Sequence, residues 1–225
     1  SEHRGVFADD AIKEFPADYW RYWLMANAPE SSDSSFNFAS FAATINKDLN
    51  DVLGNFINRV LKMTVANFGQ TIPDGGSETA EEQALYAKID ELTGDYTTYM
   101  QAMEFRKAMI ALRELWVEGN NYIARNEPWK VVKTDKERGA VILRTAINLI
   151  RLYALLASPI MPQTTQKILN LIHVTEQKDW PKGSAVEELT FLKPGHAFEA
   201  PELLFNKIPP ERVQELALKY KEAEE

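Results

Sequence analysis

Two short constellations carry side chains suited to recognition chemistry. In Gly54-Asn55-Phe56-Ile57-Asn58-Arg59, the amide of Asn55 and the guanidinium of Arg59 stand at i and i+4, so they share one helix face. An amide both donates and accepts, and a guanidinium presents five donors in a plane. The pair is either a compact hydrogen-bonding platform or a solvated helix face. In Asn126-Glu127-Pro128-Trp129-Lys130 a proline fixes the backbone just before a tryptophan. Such a turn either holds an indole at the surface as a rigid stacking face or closes the end of the core. Arg125, Lys130, Lys133, Lys136 and Arg138 surround it. They make a phosphate-facing end or a solvated turn, and Arg125, Lys130 and Lys133 are the candidate phosphate contacts.

Signals for catalysis are missing. The chain has no cysteine, which excludes disulfides, thiolate zinc sites and cysteine nucleophiles. Its three histidines, His3, His173 and His196, are scattered, and no metal site is expected. His173, at the end of an apolar helix, reads as a core or capping residue. The sequence contains no G-x-S-x-G, P-loop or G-x-G-x-x-G. No catalytic residue is assigned, and an active site is expected outside this chain. Tyr19-Trp20-Arg21-Tyr22-Trp23 puts four aromatics in five residues, which suits packing on two sides, against the bundle and against a neighbour. Trp20, Trp23 and Phe36 are therefore expected to face a missing domain.

The 225 residues carry a net charge of −8, which argues against a non-specific nucleic-acid binder. The charge is uneven, however. Residues 101–151 hold ten Lys/Arg and six Asp/Glu, a net of +4, while the remainder carries −12. A surface that meets phosphate depends on this local balance.

The elements that must position these residues read as helices. Pro16 splits the N-terminal region into two short helices, the second starting near Ala17. Residues 38–67 form one long helix with Ile45, Leu49, Leu53, Phe56, Val60 and Met63 on its apolar face, and Gly69 ends it. Ser77 or Thr79 caps a helix running to about residue 93. Gly94 breaks it, and Asp95 caps another to about residue 125, with Tyr99, Met103, Met109, Leu112, Trp116 and Ile123 inward. Thr134 or Asp135 starts a helix ending at Ser158-Pro159. Its Arg144, Asn148 and Arg151 share a stripe, expected as the wet edge of a bundle helix. That stripe argues against a membrane span. Pro162 opens a shorter helix to about residue 173. Beyond residue 176 the chain is mixed and extended, with residues 203–208 lying against another surface. Pro209-Pro210-Glu211 then starts a last helix carrying Val213, Leu216, Leu218 and Tyr220. Strand signals are limited to Val6-Phe7 and residues 189–192. The fold class is all-α, a helix bundle with a small irregular N-terminal piece and a C-terminal arm ending in a helix.

In order, Arg4-Gly5-Val6-Phe7, Ala17-Asp18 with Arg21-Tyr22, Asn46-Lys47-Asp48-Leu49, Gly54-Asn55-xxx-Arg59 and Pro128-Trp129 resemble methionyl-tRNA synthetase after its KMSKS loop. Ser1 resembles the last serine of that signature. The resemblance implies a class I synthetase that uses ATP with Mg to activate methionine, then transfers it to its tRNA. The catalytic domain would lie upstream and the chain would be a piece of a longer protein, with no cofactor of its own. Residues 1–36 would be the stem-contact region, 37–173 the anticodon-binding domain, and 174–225 an arm packing back toward the catalytic domain. By the same resemblance, Trp129 stacks on the first anticodon base, a cytosine. Pro128 places that tryptophan, and Asn55 and Arg59 hydrogen-bond the anticodon bases. The implied partners are methionine tRNA and the catalytic domain, with no membrane, in the cytoplasm. Two rivals stay open: the anticodon domain of another class I synthetase, and a helical scaffold that binds protein.

Overall fold

The computed structural model describes residues 6–30, 35–175, 180–200 and 203–220. Arg4-Gly5 of the first motif, Ser1, His3 and the 31–34 loop lie outside them. Proline and acidic first turns organise the entry. Helix α1 (Ala8–Glu14) ends before Pro16, and α2 (Ala17–Ala26) starts after it. The Trp20 indole N–H donates to the Ala11 carbonyl at 2.8 Å, tying the two together.

The next helix is continuous from Phe38 to Phe68, but it is not uniform. Asn37 caps α3 (Phe38–Thr44), its side chain accepting from the Ser40 N–H at 2.7 Å. A π-helical segment, Ile45–Gly54, follows, and then α4 (Asn55–Phe68). Ile45, Leu49 and Leu53 are buried on it. A spacing of four fits either helix type, so the apolar pattern did not reveal the wider turns. Gly69, at φ 82°, ends α4 as expected.

Thr79 and Glu82 form a reciprocal capping box at the start of α5 (Ala80–Gln101). The predicted break at Gly94 is absent. Leu92 and Tyr96, on either side of it, are both buried, and the Tyr96 hydroxyl donates to the Leu156 carbonyl at 2.8 Å. That anchoring outweighs the roughly 1 kcal/mol a helical glycine costs. The chain turns instead after Gln101, at Met103 with φ 58°. Met103 is thus exposed rather than inward-facing. Helix α6 (Phe105–Asn126) then returns along α5.

The short α7 (Pro128–Thr134) links α6 to α8 (Lys136–Ala157), which Asp135 caps. Helix α8 is long and apolar enough to cross a membrane by length and composition, but it is buried inside the fold. Every residue from Gly139 to Ala157 is buried. The expected wet edge does not exist, because distant segments cover it. Asn148 brackets the backbone of Leu192, accepting its N–H at 2.8 Å and donating to its carbonyl at 3.2 Å. Arg144 donates to the Gly76 carbonyl at 2.7 Å, and Arg151 to Glu188 at 2.9 Å.

Helix α9 (Pro162–Leu171) is capped from outside by the buried Asp18, which accepts the Thr164 N–H at 2.6 Å. The strand expected at residues 189–192 is instead α10 (Ala185–Leu189), capped by Ser184, followed by a turn. Phe7 is exposed and Val6 is irregular. Among the described residues the strand-like pairing is one isolated antiparallel bridge, Thr71 with Ala197. The arm runs back over the bundle to α11 (Pro210–Lys219), where Leu216 is buried and Leu218 faces solvent. The N-terminal aromatics pack on one another, Trp23 within the core and Trp20 and Phe36 partly buried against it. Trp20 stacks on Phe41 with centroids 4.3 Å apart, Phe36 meets Trp23 edge-on at 5.1 Å, and Trp23 is buried.

Candidate nucleic-acid interface

Four motif residues act as fold locks. Arg21 donates to the carbonyls of Ile160 and Pro159 at 2.7 and 2.8 Å. Asp48 accepts from Tyr22 at 3.1 Å and from Arg113 at 2.6 Å. Asn46 exchanges two bonds with the Ile208 backbone, at 2.9 and 2.8 Å. These contacts fix α2, the π-helical segment and the arm around the first turn of α4, where Asn55 sits.

Asn55 is exposed and Arg59, one turn on, is partly buried. Neither side chain has a hydrogen-bond partner among the described residues. Arg59 instead reaches sideways to Trp129, its guanidinium carbon 5.8 Å from the indole centroid. Cation and ring at this range attract weakly, and they join two motifs 70 residues apart in sequence. Trp129 is 37% exposed, so its ring offers surface rather than closing the core. Pro128 opens α7 as its first residue and is buried. Glu127 before it adopts the left-handed conformation, φ 41° and ψ 53°. The structure thus brings Arg59, Pro128 and Trp129 together at one end of the bundle, with Asn55 a turn away.

The basic segment is less available than its charge suggests. Arg113 pairs with Asp48, Arg138 with Glu82, Arg144 with Glu78, and Arg151 with Glu188. Helix α6 also spreads the rest: Arg106 and Arg125 stand about 28 Å apart along its axis. Near Trp129, Arg125 bonds Glu118 at 2.8 Å and Lys130 bonds Glu127 at 2.7 Å. Such exposed pairs hold weakly, leaving both cations able to turn to phosphate. Lys133 is exposed with no partner among the described residues. Lys136 lies 5.4 Å from the Phe68 ring. Arg138, expected on the phosphate-facing end, is instead a structural residue.

A cleft beside Asn55 went unread in the sequence. Asn50, Asp51, Asn55 and Asn58 line it, with Phe205 of the arm closing it at Gly54. A Cβ at Gly54 would lie 2.8 Å from the Phe205 ring, so glycine admits the arm here. The signal was present as four short polar side chains in nine residues. It was masked because only the folded arm makes a wall opposite them.

Residues 72–225 match the family described as the anticodon binding domain of methionyl tRNA ligase. Residues 1–61 match class I tRNA synthetases of the methionine type. The chain is 45% identical to a methionine–tRNA ligase of Caulobacter sp. (strain K31), over 100% of this chain and 39% of that protein. It is 45% identical to that of Ruegeria sp. (strain TM1040), over 96% and 37%. Among solved structures it resembles Mycobacterium tuberculosis methionyl-tRNA synthetase in its apo form. The TM-score is 0.79 at 27% identity, covering 91% of this chain and 41% of that one. The chain therefore spans about two fifths of the curated relatives it matches. With a bundle of this architecture and a family match over its last two thirds, the chain belongs to the methionyl-tRNA ligase family and contains that family's anticodon binding domain.

Proposed function

We propose that this chain reads the CAU anticodon of methionine tRNA as the C-terminal part of a cytoplasmic methionine–tRNA ligase. An upstream class I domain would use ATP with Mg to activate methionine. No residue of this chain is assigned to that chemistry, and the chain alone is not catalytic. Residues 1–36 are the stem-contact region, 37–173 the anticodon-binding domain, and 174–225 the arm that packs back toward the catalytic domain. The partners are the tRNA and that domain, not a membrane.

The approach of Arg59 to the exposed ring of Trp129 carries this reading. A splayed loop base can stack on the indole, for roughly 1–3 kcal/mol, but every base has a π-face. Selectivity falls to the edge. Cytosine offers the acceptors O2 and N3 beside an amino donor. Arg59 has only donors, which suit the acceptors, and the Asn55 carbonyl can accept the amino group. Uracil reverses the polarity at N3 and at the exocyclic group, which leaves the Arg59 donors facing an N–H and the Asn55 carbonyl facing a carbonyl. Lys133, with Arg125 and Lys130 released from their carboxylates, adds salt-dependent attraction.

The test is binding of an anticodon stem-loop carrying CAU, against one altered at the first anticodon base, at two salt concentrations. Preference for CAU in the wild type and its loss in Trp129→Ala is the expected result. Equal, strongly salt-dependent binding of both RNAs would reduce the site to a basic patch. Binding of neither would favour the protein-scaffold reading.

A further inference from the structure

Behind the Trp129 turn lies a polar network that base reading does not touch. Glu82 is fully buried at the first turn of α5. It accepts from the Tyr122 hydroxyl of α6 and from the N–H and hydroxyl of Thr79 at 2.8 and 2.9 Å. It also accepts from Arg138 of α8 at 2.7 Å. The other terminal nitrogen of Arg138 donates to the side-chain oxygen Oδ1 of Asn126 at 2.7 Å. The Asn126 amide donates back to the Tyr122 carbonyl at 2.9 Å. Three helices are therefore tied at Asn126, the last residue of α6 and three before Trp129.

The next residue, Glu127, holds the left-handed conformation, which L-residues other than glycine, asparagine and aspartate resist. It persists only where the surroundings over-determine it. Fixing Asn126 on both ends of its side chain does so from one side. From the other, α7 is pressed onto α8, where a Cβ at Gly139 would stand 2.6 Å from Val132. The turn's own bonds, Lys130 and Val131 N–H to the Glu127 carbonyl at 2.8 and 3.1 Å, carry that geometry to Trp129. A buried ion pair adds little net stability but can enforce one registry. Here the registry that follows is that of the indole.

We propose that Glu82, Arg138 and Asn126 are positioning residues that pre-set the Trp129 ring for stacking. This rests on the reading of Trp129 as the stacking residue. Without the network the ring samples several orientations, and binding must then order it.

The test uses the 225-residue chain labelled with 5-fluorotryptophan, the Trp129 resonance being identified by its loss in Trp129→Phe. Asn126→Ala should shift or broaden that resonance while the other four stay in place. It should weaken CAU stem-loop binding about tenfold, and Asn126→Asp, which keeps the acceptor for Arg138, should recover most of the loss. If Asn126→Ala does not fold, Arg138→Lys is read the same way, with an expected loss of about threefold. An unchanged Trp129 resonance with affinity within about twofold of wild type overturns the inference. A Trp129→Ala chain that binds normally overturns the stacking reading and this inference with it. Impaired Trp129→Ala beside unimpaired Asn126→Ala overturns this inference alone.

Discussion

Trp129 and Glu127, two residues apart, are expected to separate the proposed base stacking from stability. Trp129 is more than one third exposed, and on the proposed stacking role Trp129→Ala should weaken stem-loop binding by roughly 1–3 kcal/mol. Its urea midpoint should move little, and a large midpoint shift would mean the ring is a core residue. Glu127 shows the opposite separation. Glu127→Gly removes a left-handed cost of about 1–2 kcal/mol and adds back about 0.4–1 kcal/mol of unfolded-chain entropy. Urea unfolding should register a net gain of about 0–1.5 kcal/mol, without tighter RNA binding. A loss of stability would mean that the Glu127–Lys130 pair matters more than the backbone.

Among the helices, the same substitution should act with opposite sign at two glycines. A Cβ at Gly94 on α5 would meet nothing within 4 Å, so Gly94→Ala should stabilise the fold by about 1 kcal/mol through helix propensity. A Cβ at Gly119 on α6 would lie 2.6 Å from the Tyr153 hydroxyl and 3.1 Å from the Phe56 ring. Gly119→Ala should destabilise by about 1–3 kcal/mol. Paired urea curves check both, and equal shifts would refute the close packing of α4, α6 and α8. The π-helical segment obeys the same logic of context. It carries Asn46 and Asp48, whose partners lie on the arm, α2 and α6.

For the molecule as a whole, acidic pH should loosen the network and the arm. Bonds from Lys219 and Tyr220, with Arg212 alongside, hold Glu14 below its ordinary value of 4.5. Burial would raise Glu82, but Arg138, Tyr122 and Thr79 together lower it. A carboxylate lowered on folding stabilises above its unfolded value and loses that stability as pH falls through the folded one. Melting temperature should therefore be flat from neutral pH down to about 4.5 and then fall. Glu14→Gln should lower the plateau and flatten the fall. An identical acid limb in that variant would remove Glu14 from the linkage. This carboxylate ties α1 to α11, so separation of the arm should track it.

Several caps and breaks, though not the one expected at Gly94-Asp95, were legible in the sequence because their physics is local. Thr79 meets Glu82 three residues on, Gly69 follows its helix directly, and Pro16 divides α1 from α2. The order of the motifs also carried the family and named Asn55, Arg59, Pro128 and Trp129 before any contact was known. Tertiary structure decided what those residues face. It covered Arg144, Asn148 and Arg151 with segments 37 to 70 residues away. It carried α5 through Gly94 because buried side chains outweighed a propensity, and it drew Arg138 from the surface into the support of a turn. Capping and turn preferences act within a few residues. Desolvation of a polar group depends on whatever the folded chain lays over it, and no short stretch of sequence specifies that.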